Sequence, residues 1–296
     1  MFRALTLLLT IALAPTAADA GWMLEWNMTA FNQKGDRLPS EAASQSIANN
    51  RARMDQPAVI TITDYDADRF ALLNPAKQYF WSGTLDEYLR EMAKARGEAV
   101  AERMGKVVVT PKPGQKAPPA DYMPPPIDPA TLPPVAVAKT GLKEKIAGYD
   151  TEKYEVRIDG TLFEELWIAP GVNLSADLNP QRFAEAQRKI TTGMLGKSAI
   201  AYNAVYRNEE YLKLLGSGFP LKVVTRHVAG GFERVATSVR QGDVAASTFE
   251  VPSSYRKVRL NDVLEPLPPD AAPPQRKDVA PLPPRKTNGG PPRQSS

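Results

Sequence analysis

The stretch Thr140–Pro170, TGLKEKIAGYDTEKYEVRIDGTLFEELWIAP, decides how the rest of the chain is read. It predicts strand, turn, strand, tight turn, strand. Asp159-Gly160 separates two alternating runs. An Asp-Gly pair there is a strong hairpin signal, because both residues accept the positive φ of a two-residue turn. Before the turn, Tyr154, Val156 and Ile158 share one face, and Lys153, Glu155 and Arg157 share the other. An antiparallel sheet with one apolar and one wet face follows.

Upstream, Trp22–Phe31 alternates in the same way. Trp22, Leu24, Trp26, Met28 and Ala30 lie on one side; Glu25, Asn27 and Thr29 lie on the other. Asn32–Ser44 reads as turn-formers and small polar residues, Ser46–Met54 as one weak strand, and Pro57–Thr63 as a strand with Ile60 and Ile62 on one side. Arg69–Leu73 and Lys77–Trp81 add two strands across Asn74-Pro75. Thr84 with Glu87 fits a capping box, so a helix opens there with Leu85, Tyr88, Leu89 and Met92 on its buried face. Val107–Val109 reads as a short strand.

Downstream, Asn179-Pro180 supplies a cap and a first-turn proline for a helix within Ser175–Gly193. Ser198–Tyr206 fits neither pattern decisively. Asn208–Leu215 reads as a short helix stopped by Gly216. Phe219–His227 and Phe232–Arg240 read as a hairpin across Gly230-Gly231, with a last short strand near Val258.

Of the 28 prolines, ten fall in Pro111–Pro134 and ten in Pro266–Pro292. Proline removes a ladder donor and fixes φ, so these stretches are poor sheet or helix and bound the folded part by exclusion. The expected organisation has three parts. Residues 1–20 are a signal peptide, and 21–260 are one domain with a proline-rich insertion at about 110–135. Residues 261–296 are a disordered tail. One domain is preferred to two because the strands before the insertion are too few to close a core alone. Arg3 is the positive flank of the leader, Leu5–Ala14 its apolar run, and Ala18-Asp19-Ala20 its cleavage site. Cleavage after Ala20 is expected, with the periplasm as destination. No later segment is apolar enough to cross a membrane as a helix.

With no cysteine, the chain has no disulfide, thiol nucleophile or cysteine-held zinc. A net charge of +4, scattered among acidic residues, does not suit nucleic acid. Thr191–Ser198 is one residue short of a phosphate-binding loop and follows a helix rather than a strand. Asp64, Asp66 and Asp68 have the opening spacing of a calcium loop. Arg69 and Pro75 stand where its Gly and Glu belong, so a polar turn is the expectation. His227 is the only histidine, and no nucleophile elbow accompanies it. No catalytic residue, metal site or cofactor is expected.

Several phrases occur together in one order. They are Arg53-Met54-Asp55, Asn74–Tyr79, Thr140-Gly141, Ile146–Asp150, Trp167, Gly218–Leu221 and Phe249–Tyr255. In this order they resemble an exported bacterial family of unknown function, whose fold is similar to the lipoprotein-carrier superfamily containing LolA and LolB. The resemblance spans Trp22–Arg259. It implies a mainly β, α+β fold: a curved antiparallel sheet forming an unclosed half-barrel, with helices packed on its concave face. It also implies that lipid-like groups are held between sheet and helices. The residues expected on that face, and as lining of a cavity, are Trp22, Leu24, Trp26, Met28, Ile60, Ile62, Tyr154, Val156 and Ile158. The expected function is non-catalytic binding of a hydrophobic ligand, with a lipid or lipoprotein as partner. The alternative is an envelope interaction module with a filled core and proline-rich contact segments.

Overall fold

The computed structural model describes residues 18–94, 127–192, 197–227 and 230–265. Its strands are β1 (Ala18–Asn32), β2 (Glu41–Ala48), β3 (Arg51–Asp55), β4 (Ile60–Asp64), β5 (Arg69–Asn74) and β6 (Tyr79–Gly83). They continue as β7 (Val135–Ile146), β8 (Tyr149–Ile158), β9 (Thr161–Ala169), β10 (Phe219–His227), β11 (Gly230–Ala245) and β12 (Arg256–Lys257). All join one open sheet, in the order β12-β6-β5-β4-β3-β2-β1-β11-β10-β9-β8-β7. Two meanders, β2–β6 and β7–β11, flank β1, which pairs antiparallel with β2 on one side and β11 on the other. The helices are α1 (85–94), α2 (Pro180–Thr192), α3 (Lys197–Val205), α4 (Glu209–Ser217) and α5 (Leu260–Leu264). This is the α+β open curved sheet expected from the sequence.

Residues directly opposite in an antiparallel pair point to the same side. Across β1 and β11 the register places Leu24 beside Val239, Trp26 beside Ala236 and Met28 beside Arg234. It continues through Val223 to Leu166, Tyr154 and Val156. Tyr154, Val156 and Ile158 therefore share the face of Trp22, Leu24, Trp26 and Met28. In the other direction the same face carries Ile47, Ala52, Thr63, Phe70, Leu72 and Trp81. This is the inner face, and the helices cover it. Phe183 of α2 and Val172, Leu174 and Leu178 of the preceding loop pack over Trp22, Leu24 and Trp26. Tyr202 of α3 and Tyr211 and Leu214 of α4 pack over Val156, Phe163 and Leu166. Leu85 and Tyr88 of α1, Ala186 of α2, and Leu260 and Val263 of α5 cover Phe70, Leu72 and Trp81.

Ile60 and Ile62 correct the expectation. They pair with Asp55 and Arg53, which lie on the outer face. There they pack with Leu73, Val244 and Phe249. The cover is a 3₁₀ turn, Ala246–Phe249, with Val251 and Tyr255 after it. Arg51 sits 4.7 Å from the Phe249 ring centre, and Arg53 donates to the Thr248 carbonyl, pinning the turn to the sheet. β4 is thus covered on both sides. Its alternation names an apolar side without saying which side of the molecule that is.

Other elements depart from the reading of single segments. Ser46–Met54 is not one strand but β2 and β3, joined by Asn49-Asn50 with φ of 49° and 53°. That is a two-residue turn made by asparagines in place of Asn-Gly. Asn50 also accepts from the Asn179 backbone N–H at 2.7 Å, tying the hairpin to the start of α2. β1 begins at Ala18, before Trp22, where the alternating run was expected to start the strand. Gly21 itself is tightly enclosed, since a Cβ there would stand 2.5 Å from the Ile47 carbonyl oxygen. β11 begins at Gly230, so Gly230-Gly231 lie inside the strand, and residues 228–229 lie outside the described residues. β12 pairs parallel to β6. α5 falls where the tail was expected, with Leu260 and Val263 buried. The short strand Val107–Val109, residues 111–126 of the proline-rich segment, the leader's apolar run and the tail beyond Glu265 lie outside the described residues.

Candidate functional site

Six of the nine residues expected to line a cavity are buried: Trp22, Leu24, Trp26, Ile60, Ile62 and Val156. Met28, Tyr154 and Ile158 are half-buried. Seven share the inner face, and the two isoleucines of β4 do not. The seven fall into two packed groups, one around Trp22–Trp26 and one around Val156. The seam between them runs along β11 and β10. Here the inner face turns polar, in residues that the sequence reading did not single out.

Arg234 lies beside Met28 on this seam. Its guanidinium carbon is 5.1 Å from the Trp26 ring centre, a cation–π distance. Arg234 Nε and Trp26 Nε1 are both buried donors that make no hydrogen bond, as is the acceptor Gln45 Oε1 on the neighbouring strand. Buried polar groups in native proteins nearly always have a partner, so two orphaned donors beside one ring are unusual. Half-buried Met28 and Met54 lie on the same face, and Gln56 Nε2 reaches Met28 Sδ at 3.4 Å.

Two strands away, Glu164 is buried on the same face. It accepts from the Tyr211 hydroxyl at 2.9 Å and the Thr225 hydroxyl at 3.1 Å. Burial holds its carboxyl above the usual range, and the two hydroxyls and the charge of Arg234 offset this only in part. The roof is aromatic. Tyr202 and Tyr206 stack with ring centres 6.3 Å apart, and Tyr206 meets Tyr211 edge-on at 5.7 Å. Burial raises all three phenols. His227 lies 3.2 Å from the Tyr202 hydroxyl and edge-on to Phe163, and burial lowers its pKa.

The other motifs resolve locally. Asp64 Oδ1 accepts from the backbone N–H of Asp66 and Ala67, closing the turn, while Asp66 pairs with Arg182 at 2.7 Å. Among the described residues no three metal-ligating side chains cluster. The phosphate-loop-like stretch spans the end of α2 and the start of α3, and residues 193–196 lie outside the described residues. Two clefts open elsewhere. One, of about 740 Å³, is lined by Trp81, Glu87, Arg90, Lys257 and Arg259. The other, of about 380 Å³, is lined by Asp64, Asp68, Arg182 and Lys189. No helix among the described residues is long and apolar enough to cross a membrane.

Comparison with curated proteins finds no match. Among solved structures, PNGF-II in space group P21 aligns with a TM-score of 0.34 and 9% identity, over 81% of this chain and 31% of that one. The MucA/MucB complex of Pseudomonas aeruginosa aligns with a TM-score of 0.34 and 9% identity, over 81% of this chain and 58% of that one. A putative outer membrane lipoprotein-sorting protein domain from Vibrio parahaemolyticus gives 0.26 and 10%, over 78% and 89%. The chain thus spans less than two thirds of the PNGF-II and MucA/MucB chains it aligns with. Residues 131–255, from just before β7 to just before β12, match the model of a domain of unknown function (DUF4412), in keeping with the resemblance to a family of unknown function.

Proposed function

We propose that this chain is an exported, periplasmic, non-catalytic binding protein. It holds the apolar part of a lipid, an acyl chain or a lipidated protein between sheet and helices. The observation that carries this is the seam. The inner face is one floor from Trp22 to Ile158, yet its cover comes in two packed pieces. Beside the join, Met28 and Phe219 remain half-buried, as does Met54 farther along the same face. Methionine is flexible and polarizable, so such a wall can repack around a chain of variable shape. Each buried methylene contributes about 0.8 kcal/mol, so even a short contact gives measurable affinity. Of the titratable groups beneath the helices, His227 faces Tyr202, and Glu164 is held by Tyr211 and Thr225. That is the pattern of a satisfied core rather than of a nucleophile and base presented to a substrate. The layout of residues 1–20 supports the address.

Native mass spectrometry of the chain purified from periplasm, with lipid extraction, tests the reading. A stoichiometric lipid and uptake of a fluorescent fatty acid are expected, with Gly21 as the mature N-terminus. A clean apo mass with no uptake overturns it in favour of the filled-core interaction module. The near-complete burial of Leu24, Trp26 and Ile47 is what that second reading has in its favour.

A further inference from the structure

The two clefts do not carry a site. The smaller is crossed by the pairs Arg182–Asp66 and Lys189–Asp68. In the larger, Glu87 is held by the backbone N–H of Thr84 and Arg259 by Asp262. Two cations on the outer face are matched. Lys153 pairs with Glu165, and Lys222 with Glu144, on either side of Trp167. Arg234 differs. It faces inward, no carboxylate reaches it among the described residues, and its Nε is buried without an acceptor. Trp26 beneath it is 1% exposed, and its N–H is likewise unanswered.

We propose that Arg234 and the Trp26 indole seat an anionic oxygen group, carboxylate or phosphate, at the head of a bound amphiphile. This rests on the reading of an apolar ligand held between sheet and helices, and adds the chemistry of its polar end. An anionic oxygen would meet both orphaned N–H groups with charge-assisted hydrogen bonds, which are about twice as strong as neutral ones. Glu164, buried two strands away on the same face, has its oxygens already held by Tyr211 and Thr225. The cation is therefore left to a ligand. Met28, beside Arg234, begins the apolar floor along which the tail would lie.

The test is calorimetric titration of the full chain with dodecanoic acid, dodecyl phosphate and methyl dodecanoate, at about pH 8, where both acids are ionised. At least one acid should bind about tenfold or more tightly than the ester, as a charge-assisted pair requires, and the tighter acid names the head group. Arg234→Met should abolish the preference, and Trp26→Phe should reduce it. Equal affinity for acids and ester in the unaltered chain overturns the anion seat and leaves apolar binding standing. Binding of none of the three overturns both. Because the acid–ester comparison is made on the unaltered protein, a variant that fails to fold does not blunt the test.

Discussion

Glu164 shows how one buried carboxyl links the core to pH. Its pKa is raised by burial, so the folded protein keeps a proton that the unfolded chain has already lost. The stability this group provides is full below the unfolded pKa and falls as pH rises through the folded one. Glu164→Gln removes the titration while keeping an acceptor for Tyr211 and an N–H for Thr225. The variant should melt with the parent in acid, below the ordinary carboxylate range, and increasingly above it as the pH is raised. Parallel melting profiles from pH 4 to 8 would show that Glu164 does not titrate across the folding transition. Glu164 and Arg234 were not legible as site residues. Each is one charge in a strand that also bears outward charges, and only the register separates them from Glu165 and Glu233.

Elements fixed by neighbours in sequence were readable, and those fixed by distant chain were not. The start of α1 is read correctly from Thr84 and Glu87, because a capping box closes within four residues. The Glu87 N–H donates to Thr84 Oγ1 at 3.1 Å, and the Thr84 N–H donates to Glu87 Oε2 at 2.7 Å. Thr84→Ala should cost about 1 kcal/mol of unfolding free energy in urea titration. The Asp159-Gly160 turn was equally local, and its residues have φ of 48° and 74°. α5 was hidden because its partners Phe70, Leu72 and Trp81 lie far away in sequence. Leu260 is 1% exposed, so Leu260→Ala should cost about 2–5 kcal/mol, as for other buried leucines. A change near zero would return that segment to the tail. The side assigned to Ile60 and Ile62 failed for the same reason as α5. Their cover, the 246–255 segment, follows β11 and leaves no mark on β4.

For the whole molecule, the sheet's two ends differ. β12 contributes only two residues at one edge. β7 runs for twelve at the other, a length that invites pairing with a second chain. It carries Lys139, Lys143 and Lys145, held by Glu152 and Asp150, and Gly141 interrupts the ladder with φ of 81°. Charges and a kink of this kind keep an edge strand from templating aggregation. The single sheet was legible as a class from alternation and turns. Its strand order was not, because nothing in Trp22–Phe31 says that its partner lies more than two hundred residues later.

That partnership has a consequence in time. β1 is made first, but its ladder to β11 joins Ala18 to Ala245 and Asn32 to Gly230, so it closes only when the end of the domain is available. Until then β2–β6 and β7–β10 can form as separate meanders with an open gap between them. Contacts this far apart in sequence slow folding, toward the millisecond-to-second range of β-rich domains. A chain ending at residue 229 should therefore be digested by protease under conditions that spare one ending at 265, and equal resistance would count against this order of events. On the export proposed above, with the chain crossing a membrane unfolded, this delay would be useful: the first strand to emerge would have nothing to pair with on its far side until the last long strand followed it through.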